Sequence, residues 1–436
     1  MTNNQSIKIS KFLEFNKTKV GSYASCPSGD AARVIPPIIQ IHCKDGSIKE
    51  YVLFIEEYRE PVGKTIVNFP GGRLNKGEDS LKAIVRELFE ETGIDAPIDK
   101  FSMLLPSLQK DPKNSDEKEA LYMCDHIIKI DENHLDKDSL IKKLISNQHL
   151  DKNEDCKIKL VDIHSLPEFS ESHDMDLPTR IATNMLIKNT LGKSQRSFKP
   201  KYSIEGDELY PTLKAISDQI IAREVFVNKP YSYYSPKDGS KTIAFLFTTR
   251  VNGMPCVLSH EEISPSSNEP FLTIPEVTIK QKADVNTAIN VAGKAIIRAG
   301  LGGKVKSVQA LTGFDAVSPG ITDKRQCVVM IELQPMSFEE IQDLGATPIA
   351  TEYLNETIAS SPMGYTTALA SLYLQDEPIA MIKDKALHLN RDKDDYAPIL
   401  TSQPTNSNEQ KVMQDKKSSK KKSSKEKDSD DNSMEM

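Results

Sequence analysis

Glu87, Glu90 and Glu91 stand at i, i+3 and i+4 inside the run GRLNKGEDSLKAIVRELFEETGI, residues 72–94. On a helix that spacing puts three carboxylates on one face. Leu81, Ile84, Val85 and Leu88 recur at helical spacing and form an apolar stripe on another face. Asp79 or Ser80 can cap the first turn, and Gly93 suits the left-handed residue that commonly ends a helix. Three clustered carboxylates repel one another unless a cation sits among them, and hard oxygen donors suit Mg²⁺ or Mn²⁺, which also bind phosphate oxygens. The plain alternative is a solvated acidic helix face. Gly72, Glu78 and Arg86 argue against it, because each falls at a fixed offset from the glutamates.

Around this run the chain reads as strands and helices in mixed order. Strands are expected over 31–42, 51–58, 65–69, 120–130 and 157–163, an inserted amphipathic helix within 135–150, and a closing helix over 176–191. The expected fold is an α/β (α+β) sandwich, a mixed sheet between helices.

The second half repeats this grammar. A helix is expected near 213–225, strands over 242–251 and 255–260 around Asn252-Gly253, a helix over 288–299 and a closing helix near 365–374. The run Phe271-Leu272-Thr273-Ile274-Pro275 parallels Ile66-Val67-Asn68-Phe69-Pro70. Counted back from Gly300, the places of Glu87, Glu90 and Glu91 hold Lys294, Ile297 and Arg298. The expectation is therefore two tandem copies, the second degenerate and non-catalytic. The division is 6–192 for the catalytic domain, 193–210 for a linker, 211–375 for the degenerate domain and 376–436 for a disordered polar tail.

Composition sets limits on partners. The 436 residues carry a net charge of −7, which gives no drive toward nucleic acid or a membrane surface. The N-terminus MTNNQSIKIS is polar, and no apolar run is long enough to span a bilayer, so neither a secretion signal nor a membrane span is expected. Cys26, Cys43, Cys124, Cys156, Cys256 and Cys327 are scattered without a CxxC pair and read as reduced thiols. These features suit a cytoplasmic protein. The Lys-rich run at 416–427 offers a nuclear-localisation patch, against the plainer reading of a solvated tail.

The run 72–94 meets the fixed positions of the Nudix box, so the chain resembles the Nudix hydrolases, which split nucleoside diphosphates linked to another group. The flanks, residues 29–36, Tyr58-Arg59-Glu60-Pro61-Val62-Gly63 and Asn68-Phe69-Pro70-Gly71-Gly72, resemble the ADP-sugar (ADP-ribose) pyrophosphatase branch, and residues 318–323 resemble that branch's loop after the box. The resemblance implies Glu87 and Glu91 as main Mg²⁺ ligands, with Glu90, Glu78 and the Gly71 carbonyl completing the sites and Arg86 holding a box carboxylate in place. It implies Arg59 and Tyr58, with Gly72, at the substrate. It implies a general base on a later loop, where Glu154 is favoured over Asp155, Glu117 and Glu119.

The implied reaction is hydrolysis of ADP-ribose or a related nucleoside diphosphate sugar to AMP and a sugar phosphate. A broader hydrolase of oxidised nucleotides, dinucleotides or capped RNA is one alternative; a non-catalytic nucleotide-sugar-binding regulator is the other. Because the branch forms homodimers, the tandem predicts an intramolecular pseudo-dimer or a homodimer. Trp is absent, so any ring stacked on the base has to come from Tyr51, Tyr58, Phe12 or Phe15.

Overall fold

Pro36 and Pro37 split the first apolar segment in two. Proline supplies no N–H to a ladder, and the single strand expected over 31–42 is two, Ala31–Ile35 and Ile38–His42, which enter different sheets. The segment 120–130 divides likewise into Lys118–Cys124 and Ile127–Asp131. Each piece runs parallel to its counterpart from the first segment. This computed structural model describes residues 5–8, 13–17, 22–27, 29–133, 135–150, 155–191, 220–227, 229–236, 241–279, 283–319 and 321–375. The described residues all fall within one unit, Met1–Asp395. The expected linker, the tail, Glu154 and Phe12 lie outside them.

In the first half, one sheet runs Gly71–Arg73, Ala31–Ile35, Lys118–Cys124, Phe101–Gln109. A second runs Ile127–Asp131, Ile38–His42, Ile48–Arg59, Cys156–Asp162, with Lys64–Asn68 added against Ile48–Arg59. The helices Ser80–Thr92, Lys137–Ser146 and Leu177–Leu191 form where periodicity places them. The fold is a mixed α/β arrangement with both parallel and antiparallel pairs, as the sequence leads one to expect.

The helix expected near 213–225 is not what its described part forms. Ile220–Val227 is a strand paired antiparallel with Lys229–Pro236, in keeping with the β-branched Ile220, Ile221, Val225 and Val227. Beyond it an eight-stranded sheet centres on Lys241–Val251 and Arg325–Leu333, which run parallel. Lys241–Val251 and Met254–Ile263 meet at Asn252-Gly253, both with positive φ (51° and 86°), the left-handed pair of a tight hairpin.

Several contacts recur in both halves. Val34 N–H bonds the Pro70 carbonyl at 2.9 Å, and Phe245 N–H bonds that of Pro275 at 2.8 Å. Thr179 Oγ1 accepts from Phe69 N–H at 3.1 Å, and Thr367 Oγ1 from Ile274 N–H at 3.1 Å. Lys110 N–H reaches the Glu117 carbonyl at 2.9 Å, and Val317 N–H that of Lys324 at 3.0 Å. Position 111 thus corresponds to 318 and position 117 to 324.

One hydrophobic cluster surrounds the helix Ser80–Thr92 and another the helix Val285–Arg298. A third is shared between the halves, as is a small fourth of Leu13, Ala24, Cys26 and Ile321. In the third Leu177, Ile181 and Met185 pack with Tyr365, Leu369 and Leu372, from the helices Leu177–Leu191 and Tyr365–Leu374. Polar groups stitch the same junction. Arg180 pairs with Asp315 at 3.0 Å, Lys324 with Asp111 at 3.0 Å, and Ser318 Oγ donates to Glu117. Lys113 reaches Glu262 at 3.0 Å and Glu276 at 3.6 Å.

Candidate active site

The strand Gly71–Arg73 pairs antiparallel with Ala31–Ile35 and delivers the chain to the helix Ser80–Thr92. Asp79 caps that helix by accepting from Leu81 N–H, and Gly93 ends it at φ 70°. Ile84 and Leu88 are fully buried on the core side. Glu87 and Glu91 are also buried, at 9% and 8% exposure, while Glu90 is more open.

Two glycines bring the strand against these carboxylates. Gly71 N–H donates to Glu91 Oε2 at 2.8 Å. A Cβ on Gly72 would stand 2.3 Å from Glu87 Oε1, so any other residue there obliges that carboxylate to move. Arg86 binds the rest. Its Nε and Nη2 grip Glu78 at 3.0 and 2.9 Å, the bidentate geometry that suits a guanidinium. Its Nη1 reaches Glu87 at 2.9 Å and Glu90 at 2.8 Å, and Nη2 donates to the Arg73 carbonyl at 3.1 Å. The Arg86 hydrogen bonds lower the Glu78 carboxyl below its ordinary value. Burial, and then the charge of Glu87, push Glu91 well above the usual carboxylate range, with Gly71 N–H acting the other way.

The strand Ile48–Arg59 ends beside this cluster. Glu57 and Arg59 alternate onto one face, pair with each other, and both act electrostatically on Glu91. Arg59 Nε is buried and has no hydrogen-bond partner. Tyr58 takes the opposite strand face, 53% exposed, and is not brought into the cluster. Glu57 was not singled out from sequence; its alternation with Arg59 is the signal that could have found it.

The rival bases divide by surroundings. Glu119 is buried in an ion-pair network with Arg33 at 3.0 Å and Lys110 at 2.9 Å. Burial opposes its charge, but Arg33 and Lys110 outweigh burial and hold it at about 2. Glu117 is buried against Ser318, 3.9 Å from Arg73, and Asp155 is exposed.

The inserted segment closes the far end of the box helix. Gln148 Nε2 donates to the Glu91 carbonyl at 2.6 Å and His149 N–H to that of Glu90 at 2.8 Å. These satisfy carbonyls that a helix end leaves without partners.

Among the described residues, no group of three or more His, Cys, Asp or Glu side chains forms a ready-made metal cage. The donor set still fits a hard cation. Two buried carboxylates, one pushed up by burial and then by the charge of the other, lie beside the Gly71-Gly72 strand, where Gly72 leaves Glu87 its room. Mg²⁺ needs only one or two protein carboxylates, the remainder being water and substrate phosphate.

The second half lacks that set. The pairing of Ala244 with Glu276 matches that of Arg33 with Gly71, which puts Val277 at the place of Gly72. The helix Val285–Arg298 has its own Asp cap, Asp284. Aligned at the two caps, Ala292, Ala295 and Ile296 take the places of Glu87, Glu90 and Glu91, and buried Ala83, Ile84, Glu87, Leu88 and Glu91 fall on buried Ala288, Ile289, Ala292, Gly293 and Ile296. The count back from Gly300 gave Lys294, Ile297 and Arg298; it slips because this helix is longer and Ala299 precedes its glycine. Either count leaves no carboxylate there.

Residues 39–174 match the family model of the NUDIX domain. The chain therefore contains a NUDIX domain. Over 73 residues, 17% of this chain, it is 38% identical to a methanol dehydrogenase activator of Bacillus methanolicus, covering 38% of that protein. Over 92 residues, 21% of this chain, it is 29% identical to an ADP-ribose pyrophosphatase of Bacillus subtilis (strain 168), covering 48% of that protein. The chain spans less than half the length of these relatives. A solved structure described as an ADP compounds hydrolase overlaps 44% of this chain and 94% of its own, at 16% identity and a TM-score of 0.30.

Proposed function

We propose that this chain is a Mg²⁺- or Mn²⁺-dependent NUDIX hydrolase that splits the diphosphate of ADP-ribose or a related nucleoside diphosphate sugar, giving AMP and a sugar phosphate. The observation that carries the reading is the pair Glu87 and Glu91, set against the Gly71-Gly72 strand with the Arg59 guanidinium beside them. The similarity to a protein named ADP-ribose pyrophosphatase supports the substrate class.

Glu87 and Glu91 hold the cation, with Glu90 and the Gly71 carbonyl as further oxygen donors. When bound, a divalent cation supplies positive charge to the diphosphate oxygens and makes water a better nucleophile. Arg86 fixes Glu87 and Glu90 in orientation and is itself fixed by Glu78. Arg59 Nε, buried without a partner, donates to a diphosphate oxygen, and its planar fork suits such an anion. Incubation with ADP-ribose and Mg²⁺, followed by product identification, should give AMP and ribose 5-phosphate. Cleavage of dinucleotides or capped RNA instead would favour the broader hydrolase, and saturable binding without product would favour a regulator. Glu91→Gln is expected to lose turnover by at least about a hundredfold while staying folded; near wild-type activity would sink the cation assignment.

We also infer that residues 241–375 are a degenerate copy of the first half and form with it an intramolecular pseudo-dimer. The matched hydrogen bonds at Pro70 and Pro275, Thr179 and Thr367, and the two loops 110–117 and 317–324 support this. Replacement of Gly72 and Glu87 by Val277 and Ala292 supports the loss of a cation site. Gel filtration should give the mass of one chain; a two-chain mass would count against the pseudo-dimer.

A further inference from the structure

Beneath the bend 69–71 lies a buried hydrogen-bonded network that begins in the second half. The Tyr365 hydroxyl donates to Glu119 Oε1 at 3.2 Å. Glu119 receives Arg33 through Nε at 3.0 Å and Nη2 at 3.4 Å. Arg33 Nη1 in turn donates to the Phe69 carbonyl at 3.3 Å and to Thr179 Oγ1 at 3.2 Å, and Nη2 pairs with Asp176 at 2.7 Å. Thr179 accepts from Phe69 N–H. Two residues on, Gly71 N–H holds Glu91 at 2.8 Å. Tyr365, Glu119 and Arg33 are all buried, at 2%, 2% and 8% exposure. Burial and the charge of Glu119 push the phenol well above its ordinary value, so it stays a hydrogen-bond donor.

The network is one-sided. Where the first half has Arg33 and Glu119, the second has Ala244 and Gln326 at the matching register. Thr179 and Thr367 make the same bond, and two residues before them stand Leu177 and Tyr365, so the hydroxyl has no counterpart in the first half. The bend 274–276, which faces no carboxylate helix, is held by other groups: Thr367 accepts from Ile274 N–H, Gln326 Nε2 donates to Glu276 at 2.7 Å, and Lys113 reaches Glu276 at 3.6 Å. The Arg33 guanidinium, its carboxylate partners Glu119 and Asp176, and the added phenol sit under the bend that meets Glu91.

We propose that Tyr365 of the second half is a positioning residue for the cation site of the first: through Glu119 and Arg33 it fixes the Phe69–Gly71 bend and so the place of Glu91. The proposal rests on the hydrolase reading. It gives the half without carboxylates a defined role in the chemistry of the other.

Tyr365→Phe in the full chain tests it, since it removes one oxygen and keeps the ring. Mn²⁺ binding, followed without substrate by the loss of the free-ion paramagnetic resonance signal, should weaken roughly tenfold, the lower end for groups that orient a metal ligand. Hydrogen exchange of the peptide spanning residues 69–72 should accelerate, with little change elsewhere. In turnover, the Mg²⁺ concentration for half-maximal rate should rise while the substrate KM at saturating Mg²⁺ holds. Tyr373→Phe, a buried second-half tyrosine outside the network, should leave all three readouts unchanged. A Tyr365→Phe protein with wild-type Mn²⁺ affinity and wild-type exchange at 69–72 overturns the proposal and leaves the hydrolase reading standing. A wild-type chain that binds no Mn²⁺ overturns the hydrolase reading and this one with it. Equal effects from Tyr365→Phe and Tyr373→Phe would mean loss of core packing and also overturn it.

Discussion

Gly72 does its work through the atom it lacks. Its backbone is not left-handed, so alanine is tolerable there as a conformation, but the added methyl would lie 2.3 Å from Glu87 Oε1 and 2.4 Å from the carboxyl carbon. The carboxylate has to swing aside, pulling on Arg86. Gly72→Ala is therefore expected to weaken Mn²⁺ binding by about tenfold or more while helix content by circular dichroism stays level; unchanged affinity would show that Glu87 does not hold the cation. The shared face of the glutamates was readable because helix geometry converts spacing directly into a face, whereas Gly72 and Glu78, which precede the helix, were marked by the resemblance to the Nudix box. The contact between Gly72 and Glu87 was not readable, because it joins a strand to a helix, and no periodicity spans the loop between them. Arg59 was marked by resemblance, and alternation along the strand from Arg59 could have marked Glu57; the unpartnered Arg59 Nε emerges only from the packing. Tyr58 was selected beside Arg59, yet strand alternation sends its ring the other way.

The box helix is fixed at both ends by different means. Asp79 caps the start with its own side chain; Gly93 ends it at φ 70° against the inserted segment, where a Cβ would be 2.5 Å from Asn147 Cβ and 2.9 Å from the Leu144 carbonyl. Gly93→Ala should cost about 1–2 kcal/mol for the left-handed conformation, and more for the collision with a neighbour that is backbone and Cβ rather than a flexible tip. A thermal midpoint lowered by several degrees is expected; an unchanged midpoint would mean that residues 144–147 yield easily. At this scale most helices were well read: the amphipathic period of 135–150 survives into the structure, and the closing helix over 176–191 forms, though it is buried on every side from Leu177 to Ile187. Two strands, 31–42 and 120–130, were read as too long. Pro36-Pro37 and Asp125-His126 each interrupt an apolar run and pass the chain from one sheet to another, a change of partner that hydrophobicity alone does not encode. The strand at Ile220–Val227 was mistaken for helix where short apolar runs suit either.

Across the whole molecule, the junction between the halves is where stability should respond to acid. Glu119, held at about 2 in the fold, has an ordinary value near 4.3 when unfolded. Its contribution, roughly 3 kcal/mol for a shift of that size, is fully present above the unfolded value and drains away as pH falls toward 2. Thermal midpoints measured from about pH 6 down to pH 2 should fall through that window, and Glu119→Gln should flatten the slope while lowering the midpoint at neutral pH, because Arg33 and Lys110 lose their partner. An equal slope in the variant would place the acid sensitivity elsewhere. The ionic network was not visible in sequence: Arg33, Glu119, Asp176 and Tyr365 are far apart along the chain and carry no pattern. The reciprocal loops add a last consequence. Position 111 meets 324 and position 117 meets 318, so each loop touches the other through matching places. In a symmetric pair of identical chains, any substitution at such a contact would be imposed twice. Within one chain the two contacts can diverge separately, and they have: one is a buried ion pair, the other a hydroxyl on a carboxylate.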